Sequence, residues 1–153
     1  MDTKEHLNRL YDNRLLENEN EIQEFNESCI RVIECNDISI IPDLCLVFDD
    51  DTEQPEVMFS LIHGIEGLYE NYIEEGLKCI ATAAPSMMSG AKDWVEIIHY
   101  RILNDPQIRT VYGKVLSQFD LSITSSIKEL LLEIKNEDPD MFSKSINEVI
   151  ELI

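Results

Sequence analysis

Residues 47–66 read VFDDDTEQPEVMFSLIHGIE. Five carboxylates (Asp49, Asp50, Asp51, Glu53 and Glu56) fall within eight positions, and His63 follows in an apolar run. Side chains of this type at this density have four chemical uses: ligating a metal, exchanging protons, capping a helix, or facing a basic partner. A calcium loop needs oxygen ligands at positions 1, 3 and 5, a turn-making glycine at 6 and a glutamate at 12. Counted from Asp49, Asp51 and Glu53 satisfy the third and fifth positions, but Gln54 stands where the glycine belongs and Ser60 where the glutamate belongs. Zinc fares no better. There is no HExxH, and His6, His63 and His99 lack ligand spacing. His63 has Glu66 three and Glu70 seven residues on, which allows a carboxylate–imidazole cluster on one helical face; a structural histidine is the simpler reading. No metal site and no cofactor are assigned.

Catalytic signatures are missing as well. The chain contains no GxSxG, no phosphate loop, no GxGxxG and no cysteine set beside a histidine. Three adjacent aspartates in a loop are expected to lie open to water, and exposed carboxylates make poor proton donors at neutral pH. No catalytic residue is assigned, and the chain is not expected to be an enzyme. Capping explains part of the stretch, because acids in and before a first turn oppose the helix dipole at about 0.3–1 kcal/mol each. One or two carboxylates suffice for that, which leaves a surplus for solubility or for a binding surface.

The elements that must position these residues read as helices. Leu7, Leu10, Tyr11 and Leu15 stripe a first helix over 3–16, and Ile22, Phe25, Cys29, Val32 and Ile33 stripe a second over 20–35. In DISIIPDLCLVF, ISI admits a short strand, but Pro42 followed by Asp43 favours a short helix ending at Phe48. Thr52 or Gln54 caps the next helix, with Pro55 in its first turn and Val57, Met58, Leu61, Ile62, Ile65, Leu68 and Tyr69 facing inward. Gly64 and Gly67 lower its propensity and let a neighbour come close. After a break near Asn71 the chain continues to Pro85, which is read as starting a helix through Asp105. Asp105-Pro106 and Asp138-Pro139 each pair an N-cap with proline at the first helical position. They start helices over 106–119 and at 139, and another lies over 123–136. The expectation is a single all-α domain over residues 1–153, of seven to nine helices, arranged as stacked helical hairpins.

Composition narrows the function further. With 31 acids against 12 bases the formal net charge is −19, and the excess is concentrated in one half. Residues 1–77 carry 20 acids and 4 bases, residues 78–153 carry 11 and 8, and between Arg31 and Lys78 there are 12 acids and no Lys or Arg. Direct binding to nucleic acid is disfavoured, since no basic stripe exists to displace counterions. A basic protein partner is favoured instead. MDTKEHLNRL lacks the apolar core of an export signal, no apolar run is long enough to span a membrane, and the four cysteines show no CxxC spacing. A reduced, cytoplasmic protein is the expectation.

FDD followed by PEVMFSLIHGIEGLYENYI, then AAPSMM, then AKDWVEIIHYRILND, resembles the all-α immunity proteins of bacterial polymorphic toxin systems, specifically the immunity protein 30 family. The likeness covers roughly residues 44–116 and rests on FDD at Phe48–Asp50, IE at Ile65–Glu66 and Trp94. It implies a protein encoded beside a secreted toxin, which binds the cognate toxin's C-terminal domain and neutralises it without catalysis. No active-site residues come with the family. Together with the charge, it assigns Asp49, Asp50, Asp51, Glu53, Glu56, Glu66, Glu70, Glu74 and Glu75 to a toxin-facing surface, complementary to a basic nuclease cleft. The competing reading is an all-α scaffold or adaptor that binds a protein other than a toxin.

Overall fold

The computed structural model describes residues 2–153, and among them every regular element is helical. In chain order these are α1 (Thr3–Asp12), α2 (Glu19–Glu34), a 3-10 turn (Ile38–Ile40), α3 (Ile41–Cys45), α4 (Pro55–Met58), α5 (Ser60–Tyr69), α6 (Ile73–Met87), α7 (Lys92–Leu103), α8 (Pro106–Leu116), α9 (Leu121–Glu137) and α10 (Pro139–Leu152). Only Phe59 separates α4 from α5, and it keeps right-handed helical angles (φ −58, ψ −22), so the two form one bent helix and the described residues hold nine α-helices.

Local chemistry sets most of the starts. Asp2, Asn18, Asp105, Asp120 and Asp138 each accept a backbone N–H of the following first turn, the caps expected of short polar side chains. Both acid–proline starts behave as read. Three expectations are corrected. The first helix ends at Asp12 rather than residue 16, because the Asn13 side chain bonds back to the Arg9 carbonyl and the chain turns there. Leu16 then adopts φ +52 while wholly buried, so its side chain fills the core from a loop. Residues 38–45 are helical, a 3-10 turn running into α3, but the helix stops at Cys45 rather than at Phe48.

The third correction is Pro85, which does not start a helix but lies inside the last turn of α6. Proline removes one backbone donor and crowds the preceding turn. The buried face of Ala81, Ala83, Ala84 and Met87 nevertheless carries the helix through it. The turn to α7 comes at Gly90, whose φ of +92 is open to glycine and strained for other residues.

α6 is the hub. It packs against α3, α5, α7, α8 and α9, and its alanines let those helices approach closely. Consecutive helices pair as hairpins (α1 with α2, α5 with α6, α7 with α8, α9 with α10), and the α1–α2 pair joins the rest through the packing of α2 on α5. One apolar cluster runs from Leu10 to Val149. Gly64 meets Ile33 of α2, as its small size suggested, whereas Gly67 faces open space. Inside, His99 of α7 bridges to α8. Its Nδ1 donates to the Val95 carbonyl at 2.7 Å, so Nε2 accepts the Tyr112 hydroxyl at 2.6 Å. Burial pushes the pKa of this histidine down to about 4, which keeps it neutral.

Candidate functional site

The aspartate triplet forms a clasp between two distant connections. Asp49 Oδ1 accepts the Asp51 N–H at 2.9 Å, and the Asp49 carbonyl accepts the Thr52 N–H at 3.2 Å, closing a tight turn. On one side Asp49 Oδ2 pairs with Arg14 Nε at 3.1 Å, and the Glu53 N–H donates to the Leu15 carbonyl at 2.9 Å. On the other, the Asp50 N–H donates to Gly90 at 2.8 Å, and Trp94 Nε1 donates to the Asp49 carbonyl at 3.1 Å. Phe48 stacks on Trp94 with ring centroids 5.5 Å apart.

The capping expected within this stretch does occur, but not where the sequence places it. Gln54 occupies the N-cap position of α4 with no side-chain bond, and Thr52 makes none either. Asp50 instead caps α7, accepting the Asp93 N–H at 3.1 Å. The residue preceding α7, Ala91, has no polar group to offer. Partial burial raises the Asp50 carboxyl above the usual aspartate range, against the opposing pull of the N–H groups at the start of α7.

Beyond the clasp, two helical stripes face each other. On α4–α5, Glu56, Phe59, His63, Glu66 and Glu70 recur at three- and four-residue steps; on α7, Asp93, Ile97 and Arg101 recur at four. Between them, next to the clasp, lies a groove of about 560 Å³. Its floor is Phe59, Trp94 and Ile97, and its carboxylates come from Asp50, Glu56 and Asp93. Further along, Arg101 crosses the face and holds Glu66 in a two-pronged pair, Nε to Oε2 and Nη2 to Oε1, both 2.7 Å. A second, more polar hollow of about 400 Å³ follows, with Glu66, Glu70 and Asp105 around it.

The nine carboxylates singled out from the sequence therefore separate by environment. Asp49 and Asp50 are committed to the clasp, and Glu66 to Arg101. Asp51, Glu53, Glu56, Glu70 and Glu75 are exposed, and among the described residues their carboxylates enter no ion pair. Glu74 and Glu75 stand in the first turn of α6, where Glu74 pairs with Lys78 at 3.3 Å. Asp93 and Asp105 join the same face without having been singled out; an acid in a helix's first turn or at its cap carries no sequence mark of facing a groove. His63 lies 5.1 Å from the Phe59 ring, and Glu66 turns to Arg101 rather than to it. No group of three or more His, Cys, Asp or Glu among the described residues could hold a metal ion. No helix among them is long and apolar enough to cross a membrane.

What the fold and this face define is an all-α protein that presents a grooved, carboxylate-rich surface. Residues 12–112 match the family model for Immunity protein 30, and the chain belongs to that family. The match starts well before the 44–116 span of the sequence resemblance, taking in all of α2, and ends at Tyr112 in α8. Neither the curated proteins nor the solved structures contain a match to this chain. Family membership points to an immunity protein, an inhibitor of a toxin. The residues carrying the resemblance link α7 to two other parts of the chain: Phe48, Asp49 and Asp50 close onto the start of α7 and Trp94, and Glu66 ties α5 to Arg101 further along.

Proposed function

We propose that this protein neutralises the C-terminal domain of a cognate secreted toxin in the cytoplasm, binding it through the face that runs from the 49–53 clasp along α4 and α5 to the start of α6. One observation carries the reading. Asp51, Glu53, Glu56, Glu70 and Glu75 are exposed along this face and, among the described residues, in no ion pair, within an interval of the chain that holds no Lys or Arg. Carboxylates left unneutralised on one side of a molecule speed encounter with a basic surface and select against an acidic one. A nuclease, with a cleft built for phosphates, presents such a surface. Fast association suits a protein that must intercept a few toxic molecules before they act.

The test is co-expression with the toxin domain encoded by the neighbouring gene, scoring growth and co-purification. Rescue of growth with a stable complex supports the reading; co-purification without rescue favours a scaffold. To locate the interface, Asp51, Glu53 and Glu56 are the positions to reverse in charge, because among the described residues their carboxylates enter no ion pair. Reversing all three is expected to slow association at low salt by about 10- to 100-fold, with the difference shrinking as salt rises. An unchanged rate places the interface elsewhere. Charge reversal at Asp49 or Asp50 is less informative, since it also opens the clasp.

A further inference from the structure

The groove beside the clasp is more selective than an acidic patch. Phe59, Trp94 and Ile97 give it an apolar floor, while Asp50, Glu56 and Asp93 place three carboxylates at its edge. Among the described residues none of the three is in an ion pair, and Lys92 next door is turned to Glu133 at 2.6 Å. Thr52 also lines the groove; it is 9% exposed, and its Oγ1 has no hydrogen-bond partner among the described residues. Buried hydroxyls normally find one.

We infer that this groove takes an arginine side chain of the toxin, an assignment that rests on the immunity reading above. An anion is repelled by three carboxylates, and a purely apolar group would bury those of Glu56 and Asp93 without a counter-charge. A cation with an apolar stem satisfies both floor and rim. Arginine fits better than lysine for two physical reasons. Its guanidinium is planar and weakly hydrated, so it stacks on aromatic rings at a smaller desolvation cost than an ammonium. Its fork of five N–H donors matches carboxylates that approach from different sides. The protein already shows the contact in miniature: the Arg101 guanidinium lies 5.5 Å from the centroid of the Phe59 ring while pairing with Glu66.

Trp94 is the sole tryptophan in the chain and forms part of the groove floor, so its fluorescence reports on the groove and the adjoining clasp. Titration with N-acetylarginine amide is expected to change that signal saturably, with affinity in the millimolar range. The citrulline analogue, of nearly the same shape but uncharged, should leave it unchanged. Glu56→Gln, conservative and exposed, should weaken arginine binding by about tenfold. Thr52→Val, the control, should leave arginine binding unchanged and thermal stability equal or higher, because it deletes a buried hydroxyl that has no partner among the described residues. An absent response, an equal response to citrulline, or undiminished binding by Glu56→Gln overturns the inference. Wild-type growth rescue is scored alongside. Rescue without arginine binding leaves the immunity reading standing and removes the groove from it. Arginine binding without rescue overturns the assignment of that arginine to a toxin.

Discussion

Asp49 is held at every polar atom it has. Its N–H points at Met58 Sδ at 3.4 Å, its carbonyl accepts from Thr52 and Trp94, and its two carboxylate oxygens take Asp51 and Arg14. Removing the side chain loses one turn-closing bond and a partly exposed ion pair, and only the first keeps its full worth in water. Asp49→Ala is therefore expected to cost about 1–2 kcal/mol, and Asp50→Ala about 1 kcal/mol for the lost cap of α7. Asp51→Ala should stay within about 0.5 kcal/mol. Urea midpoints at neutral pH rank the three, and a large loss at Asp51 would contradict the clasp. His99 sets a pH limit. Its pKa falls from 6.5 to about 4 on folding, so below pH 6.5 the unfolded chain binds the extra proton and the folded chain does not. Stability from this group is complete above pH 6.5 and is lost as pH drops toward 4, amounting to about 3 kcal/mol at the end. Replacing the pair together, His99→Leu with Tyr112→Phe, should flatten that part of the curve in denaturant titrations from pH 7.5 to 4.5. An unaltered slope would mean that the carboxylates alone produce it.

Elements meet through glycines of unequal importance. A Cβ on Gly76, at the start of α6, would stand 2.1 Å from the Tyr69 Cβ, where the chain folds back from α5. Gly76→Ala must therefore push two backbones apart, and a loss of about 1–3 kcal/mol is expected. Gly67, on the exposed side of α5, has nothing within 4 Å, so Gly67→Ala should add about 0.5–1 kcal/mol through helix propensity. Thermal melts of the two variants should move in opposite directions. If they shift alike, the α5–α6 corner is looser than this packing requires. The two glycines look alike in sequence, and so do prolines. Pro106 and Pro139 start helices because an aspartate cap precedes each, whereas Pro85 follows two buried alanines and is carried inside α6 by that apolar face.

At the scale of the whole molecule, charge and core are separated. Helices from both halves of the chain surround α6, while the base-free interval from residue 32 to 77 supplies α4, α5 and the clasp. Long-range attraction to a basic partner should therefore fall steeply with ionic strength. Association with a cognate toxin, followed by stopped flow between about 50 and 500 mM salt, should slow progressively while dissociation changes far less. A salt-independent association rate would show that the net charge of −19 serves solubility instead.

The sequence by itself determined the helical class, the acid–proline starts, the inward stripes and the imbalance of charge, because each follows from local spacing and composition. It also contained the family likeness. Only tertiary structure decided what the aspartate triplet does. Asp50 caps a helix that begins more than 40 residues later, and Asp49 ties Arg14 to Trp94 across three elements. No local pattern encodes such partners. Whether Glu56 and Asp93 border one groove, or Glu66 is taken up by Arg101, depends on how α5 and α7 pack. Neighbours in space set a carboxylate's role, and its neighbours in sequence set little more than its exposure.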